Sequence, residues 1–475
     1  MAYNVTGEVN FWQLMLIGNL SLLGILTVFY RLITQNSIPG RIFLSLPFLL
    51  LTLQHHENML WGMAALQNFT VVLFMLLGLY WLSKGAERTI GLELIAGVFC
   101  SITSGNGNLI WPLGVGILLL QKRWCGLGIW GVMGATAIAL YFHNYQQPPG
   151  NPAAAVEGAG VYVKGFLEFI GAFADWFPES PRRFAVPVVA GTILTSVAAT
   201  LGFRTIVRSP WGRGTATQAD YFLLGVCGFV VISALTVTVN RIGFGEWVLL
   251  TSRVKIYSVL LLMTVLVVGL KEVKRNYQFF AVRIALVLAV VFNGYTALVE
   301  YGEMLYRRQE RLTWLFNWRY GQQDLPAYNR TRFPYRAPET VFDGMPETRH
   351  ASRSDESPTF AIDSIYRRGG SVVVENKLFE KPSGSDAGAY LLLQTGNRRY
   401  LFPVRQQRNT SRRRFLQNLS YFGPGFSAEI NSNEIPSGAY ELRVLTTDGD
   451  HLTEATTNQK MTFAGTGSTP LPTNW

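Results

Sequence analysis

Residues 11–33 form an apolar run with one charged residue, Arg31, near its end. A stretch of about 20 such residues has the length that crosses a hydrocarbon core. Comparable runs recur at residues 59–83, 124–142, 184–203, 221–240, 254–270 and roughly 284–299. Residues 89–103 hold a lone Glu93, break at Ser104-Gly105-Asn106-Gly107-Asn108, and resume as a short run over 109–121. Residues 42–53 are apolar, only twelve long and contain Pro47, which predicts a short, kinked or re-entrant helix. The expected fold is an α-helical polytopic membrane protein with about nine to ten transmembrane helices.

The composition agrees: 49% of the 475 residues are hydrophobic, 15% are charged, and mean hydropathy is +0.20. A soluble globular domain is excluded on these grounds. The net charge of +11 raises nucleic acid as a partner, but many basic residues flank apolar runs, where membrane topology accounts for them. The expected partner is therefore a lipid bilayer, with no nucleic acid. Cys100, Cys125 and Cys227 lie in or beside apolar runs without metal-ligand spacing and read as buried thiols. The first run is long and lacks a basic leader, so no cleavable signal peptide is expected.

With the N-terminus outside, the inner loops carry twelve basic residues: Arg31, Arg41, Lys84, Arg88, Lys122, Arg123, Arg204, Arg208, Arg213, Lys271, Lys274 and Arg275. The outer ones carry six: Lys164, Arg182, Arg183, Arg241, Arg253 and Lys255. The positive-inside rule favours this orientation, provided that residues 42–53 count as a crossing. It puts Gln54–Gly62, the Ser104–Asn108 break, the 143–183 loop and the 241–255 connection on one outer face. Within the 143–183 loop, residues 161–177 carry Lys164, Glu168 and Asp175 at helical intervals and predict an amphipathic interfacial helix.

Beyond Tyr306 the composition becomes polar and arginine-rich. The reading divides the chain into a transmembrane domain over 1–303 and an interfacial helix and linker over 304–358. A β domain follows over 359–466, with a tail over 467–475. Alternating stretches at 371–375, 389–394, 399–404 and 439–446, with turn residues at Thr395-Gly396-Asn397 and Thr447-Asp448-Gly449-Asp450, predict an extracytoplasmic all-β, sandwich-like domain. The Arg412-Arg413-Arg414 run reads as a solvated face or a lipid contact.

Polar and ionisable groups at membrane depth are costly and tend to face a wet cavity, a partner or a site. His55, His56, Glu57 and Asn58 therefore stand out against an ordinary polar turn. They could supply a general base, hydrogen bonds to a sugar hydroxyl, or metal ligands. Adjacent histidines point apart on a helix, and no HExxH, DxD or Cys set accompanies them in this stretch. No structural metal and no definite cofactor are expected, which leaves room only for a loosely held divalent cation. Asn106 and Asn108 suit hydroxyl recognition or merely a tight turn. Arg241 and Arg253 flank a glycine-containing connection, where guanidinium groups could hold a lipid phosphate or simply snorkel to the interface.

The sequences Gly7-Glu8-Val9-Asn10-Phe11, Ile17-Gly18-Asn19-Leu20-Ser21-Leu22 and His56-Glu57-Asn58-Met59-Leu60-Trp61-Gly62 resemble those of bacterial polytopic proteins of the GT-C glycosyltransferase type. Ser104 to Pro112, and Arg241-Ile242-Gly243-Phe244-Gly245 with Ser252-Arg253, are similar in the same way. The resemblance covers roughly residues 7–300. It implies transfer of a sugar from a polyprenyl-phosphate-linked donor to a glycan acceptor at the outer face of the bacterial inner membrane. His56, Glu57 and Asp175 are the catalytic candidates; His55, Asn58, Asn106, Asn108, Arg241 and Arg253 are the substrate-binding ones. The pattern departs from the family's in its acidic outer loop, since only Glu8 precedes the first span. The acid then comes from an N-terminal portion that relatives possess, from Glu57 or Asp175, or the chain is not catalytic. A polysaccharide polymerase or ligase, and a non-enzymatic transporter or envelope scaffold, stay open as alternatives.

Overall fold

The computed structural model describes residues 10–145, 158–178, 180–320, 340, 342, 359–396, 398–409, 421–432, 435–448 and 451–464. The chain forms two compact units, one over Phe11–Glu300 and one that includes Tyr301 onward.

The first unit is helical. Among the described residues, six helices are long and apolar enough to cross a membrane: α1 (Phe11–Gln35), α4 (Gly62–Ser83), α7 (Trp124–Phe142), α9 (Ala185–Arg208), α10 (Gln218–Arg241) and α12 (Arg275–Tyr320). Shorter helices lie between them: α2 (Leu46–Leu50), α3 (His56–Met59), α5 (Ile90–Thr103), α6 (Ile110–Leu120), α8 (Ala159–Ile170) and α11 (Lys255–Lys271). The expectation of nine to ten spanning helices is thus met by six. At 14 and 11 residues, α5 and α6 are too short to span unaided, while α11, at 17, stands at the lower limit of spanning length.

Local chemistry sets several of these boundaries. Pro47 occupies the first turn of α2, where its missing N–H costs nothing. Thr217 and Asp220 form a reciprocal capping box that opens α10. The sequence Ala65–Phe69 makes one π-helical turn inside α4.

Helices α1 and α4 run parallel. Gly62 packs on Phe11 and Leu14, Gly18 on Ala65, Gly24 on Leu73, and Tyr80 donates to Gln35 Oε1 at 2.7 Å. Two parallel helices in succession require the chain to return between them. Residues 36–61 make that return, so the short apolar element acts as a crossing of the bundle. We call the end holding Phe11 and Gly62 the first end, and the end holding Gln35 and Ser83 the second.

Helix α5 then climbs against α4, with Cys100 Sγ at 3.6 Å from Val71 O, near the midpoint of α4. There the chain turns through the 3-10 segment Gly105–Leu109 into α6. A Cβ on Gly107 would stand 1.8 Å from Cys100 O, so only glycine permits this turn. Glu93, which reads in the sequence as an acid inside a span, lies one turn from the second end, 3.3 Å from Arg123 and bonded to Thr89 at 2.7 Å. Nearby at that end, Arg208 holds Glu272 through two bonds of 2.8 and 2.9 Å. Cys100 and Cys227 are buried thiols as expected, but Cys125, in the first turn of α7, is exposed and corrects that reading.

The predicted interfacial helix over 161–177 is α8 followed by a 3-10 turn, Ala172–Ala174. A Cβ on Gly171 would meet Pro187 O, and one on Gly191 would meet Leu167 O, each at 1.9 Å. This reciprocal approach seats the end of α8 on α9.

The second unit is an antiparallel β structure of two four-stranded sheets, ordered β1-β2-β6-β5 and β4-β3-β7-β8. The strands are β1 (Ser364–Arg368), β2 (Ser371–Asn376), β3 (Gly388–Thr395), β4 (Arg398–Pro403), β5 (Arg405–Arg408), β6 (Phe422–Asn431), β7 (Gly438–Asp448) and β8 (His451–Phe463). Val374, Leu391, Leu393, Phe426, Leu442 and Val444 build its core. The predicted interfacial helix after Tyr306 is instead the continuation of α12 to Tyr320. Its Leu312 and Phe316 join Tyr390, Leu392, Leu401 and Leu445 in a second apolar cluster. That face is covered by the β sheet, so the segment is part of a longer helix and not a separate one. Most of the 304–358 linker, the Arg412–Arg414 run and the 467–475 tail lie outside the described residues.

Candidate functional site

Asn19 Nδ2 donates to Met59 O at 2.9 Å, and the His55 ring meets the Phe69 ring edge-on at 6.0 Å. Asn19 is two turns into α1, so the polar turn lies roughly 12 Å inside the first end at 1.5 Å per residue. The sequence places it in an outer loop; the tertiary packing sinks it into the bundle.

A segment nearly two hundred residues later holds it there. Ser252 Oγ donates to Gln54 O at 2.6 Å and accepts the Glu57 N–H at 3.1 Å. Asn58 Nδ2 donates to Arg253 O at 3.2 Å, while its Oδ1 accepts from Asn68 at 2.8 Å. Gln54 Nε2 reaches Phe173 O at 2.8 Å, tying in the chain that follows α8. Asn58 is thus fully used as a fastener between segments.

Charges fill the junction. Lys255 Nζ stands 2.7 Å from Glu300 Oε1 and 3.3 Å from Asp175 Oδ2. Arg183 grips both Asp175 oxygens at 2.9 and 2.7 Å. His56 Nδ1 faces Leu53 O at 3.1 Å and Glu300 Oε2 at 3.7 Å. Lys255 and Asp175 are almost wholly buried, so each charge depends on its partners. Nearer the surface, Arg253 Nε lies 3.4 Å from Glu57 Oε2, and the guanidinium sits 4.6 Å over the Trp61 ring. The Arg253 side chain is 42% exposed and that of Glu57 17%. His55 is fully buried, and neither ring nitrogen has a hydrogen-bond partner among the described residues.

Asn106 Nδ2 reaches Tyr257 Oη at 3.5 Å, which links the mid-height turn to the first turn of α11, two residues past Lys255. Asn108 turns back on Gly105 O at 3.4 Å. Arg241 rests over the Phe244 ring at 5.7 Å, and among the described residues no hydrogen bond or ion pair joins it to the Arg253 group. The structure therefore gathers His55, His56, Glu57, Asn58, Arg253 and Asp175 into one neighbourhood, with Asn106 at its edge. Glu300 and Ser252 complete it and escaped the site reading. Glu300 carries a visible signal, as the first acid after the last apolar run. Lys255 and Arg183, counted in the sequence for topology, are buried or half-buried partners here.

Both Asp175 oxygens are occupied by cations, Arg183 on each and Lys255 on one. Glu57 is less committed: its Oε2 has an arginine at ion-pair distance but no hydrogen bond. No group of three or more His, Cys, Asp or Glu residues among the described residues is placed to hold a metal ion.

A second acidic spot lies on α8. Glu168 is buried, 3.5 Å from Lys164, which bonds Glu246 at 2.6 Å. Burial, and then the Glu246 charge, push Glu168 up to about 7.

No protein-family model, no curated protein and no solved structure matches this chain. What the geometry defines is a mostly helical protein with six helices of membrane length and a C-terminal region of two antiparallel sheets.

Proposed function

We propose that the protein is a multi-pass protein of the bacterial inner membrane that transfers a sugar from a polyprenyl-phosphate-linked donor at its first end. The observation that carries this reading is the union of two distant polar segments, 54–58 and 252–255, at a junction that ends in a partly exposed Arg253–Glu57 pair. Arg253, backed by Trp61, holds the donor phosphate; arginine suits that bidentate task. Glu57 takes the proton of an acceptor hydroxyl as the sugar–phosphate bond breaks, and the leaving phosphate keeps the bonding electrons beside the guanidinium. Lys255, Asp175, Glu300 and Arg183 hold the junction in shape. The concentration of basic loop residues at the second end supports a cytoplasmic position for it, and with it an extracytoplasmic one for the 54–58 and 252–255 junction and for the β domain.

The test is binding of a polyprenyl-phosphate sugar to the purified protein. Arg253→Ala should lose binding, and Glu57→Gln should bind the donor but not turn it over. Wild-type affinity in Arg253→Ala overturns the assignment. The buried Lys255–Glu300–Asp175 group favours a second reading, a transporter or scaffold that needs such charges for structure or ion passage. Absence of donor binding by the wild-type protein would select it.

A further inference from the structure

One end of the β1-β2-β6-β5 sheet collects the end of β2, the start of β6 and the end of β5. Directly after β2, Leu378 is 76% exposed, the most exposed of the large apolar side chains among the described residues. Lys377 beside it is exposed as well. Arg408 is exposed at the same end, its guanidinium 5.2 Å from the Tyr421 ring. Lys381 lies 5.7 Å over Phe422. Tyr421 packs edge-on against Tyr301 at 5.0 Å, and its hydroxyl accepts the Gly302 N–H at 3.3 Å. An exposed leucine at a sheet end that also carries cations and a tyrosine has the chemistry of a surface that meets lipid headgroups.

The position of Tyr301 identifies the occupant. It stands on α12 immediately after an apolar run in which Val290, Val291 and Leu298 are 45%, 61% and 42% exposed. A helix so apolar on its outer face is solvated by lipid, and the residues that follow emerge at the headgroup layer. Among the described residues the acids near this end are Glu303, which pairs with Arg405 at 2.6 Å, Asp363, which accepts the Lys377 N–H at 2.7 Å, Asp386, which lies near Lys381 and pairs with Arg308, and exposed Glu380.

We propose that this end of the β domain rests on the membrane surface, with Leu378 in the headgroup layer and Lys377 and Arg408 facing lipid phosphates. The proposal rests on the membrane-spanning part of the reading above and not on sugar transfer. It makes the β domain a peripheral lipid contact, not a domain free in water.

The experiment uses the full chain with exposed Cys125 replaced by serine. Single cysteines at Leu378→Cys, Gly370→Cys and Val290→Cys carry an environment-sensitive fluorophore in vesicles of phosphatidylcholine and phosphatidylglycerol. Gly370 lies in the turn before β2, at the opposite end of that strand and roughly 25 Å from Leu378 at the rise of a β-strand. Quenchers attached to lipid headgroups should act several-fold more strongly on the label at 378 than on that at 370. Reversing charge with Lys377→Glu and Arg408→Glu should bring 378 down toward 370. A label at 378 that behaves like that at 370, while acyl-chain quenchers reach 290, overturns the proposal and leaves the spanning helix standing. Quenching at none of the three overturns both. Strong quenching that ignores the charge reversal overturns the phosphate contacts.

Discussion

Lys255 and Glu300 are 45 residues apart in the chain, and their charged atoms meet at 2.7 Å in a buried setting. Asp175 joins them from a third segment, so one ammonium ties the start of α11, the chain after α8 and the middle of α12. Removing one partner leaves a buried charge uncompensated. Lys255→Met or Glu300→Leu alone should destabilise the protein by roughly 3–5 kcal/mol, while the double variant should recover part of that loss. Thermal unfolding in detergent measures both; equal stability of Lys255→Met and wild type would show that the pair is solvated.

The close seating of α8 on α9 depends on two glycines. Alanine at Gly171 or Gly191 forces a backbone carbonyl away, and we expect a loss of about 2–4 kcal/mol for either. Gly116→Ala, where a Cβ meets nothing within 4 Å, should stay within about 1 kcal/mol of wild type. Midpoints that fail to separate the two classes in the same unfolding assay would contradict the packing.

Glu168 should make stability depend on pH. Its carboxyl titrates near 7 in the folded protein, above its ordinary value of 4.5, so the native state holds a proton that the unfolded state has released between those limits. Stability from this residue therefore falls as pH rises from about 4.5 to 7 and stays low above. Glu168→Gln should remove that slope, with a relative gain of roughly 1–3 kcal/mol at pH 8 and none at pH 4. Parallel stability–pH curves for variant and wild type would place the carboxyl in water.

In the β unit, Asn317 donates to Leu401 O at 2.9 Å and accepts the Leu401 N–H at 2.7 Å, pairing with edge strand β4 as another strand would. Alanine there strands two buried backbone groups. A loss of about 2–4 kcal/mol is expected, with the transition of the β unit lowered in differential scanning calorimetry. An unchanged transition would mean that the contact contributes nothing.

Four of the eight strands were legible because their apolar residues alternate or run together, as in Gly388–Thr395. Strand β6 hides behind Gly423, Pro424 and Gly425, and β8 behind a polar outer face on which only Ala455, Thr457, Met461 and Phe463 are buried. At the site, His55, His56, Glu57 and Asn58 drew notice because ionisable residues beside apolar runs are rare. Glu300 did not, because an acid ending an apolar run is what any span boundary shows.

Hydropathy by itself determined that this chain is built from membrane-length helices followed by a β region, since burial of apolar surface scales with local composition. It also supplied the polar turn at 54–58 and the arginine at 253 as separate features. Only the tertiary structure decided that the return of residues 36–61 sinks that turn below the first end, that Ser252 and Asn58 fasten the two segments, and that Lys255 bridges Asp175 and Glu300. The reason is physical. A buried charge is tolerable only where its partner stands within a few ångströms, and partners drawn from three distant stretches of chain leave no periodic mark in any one of them.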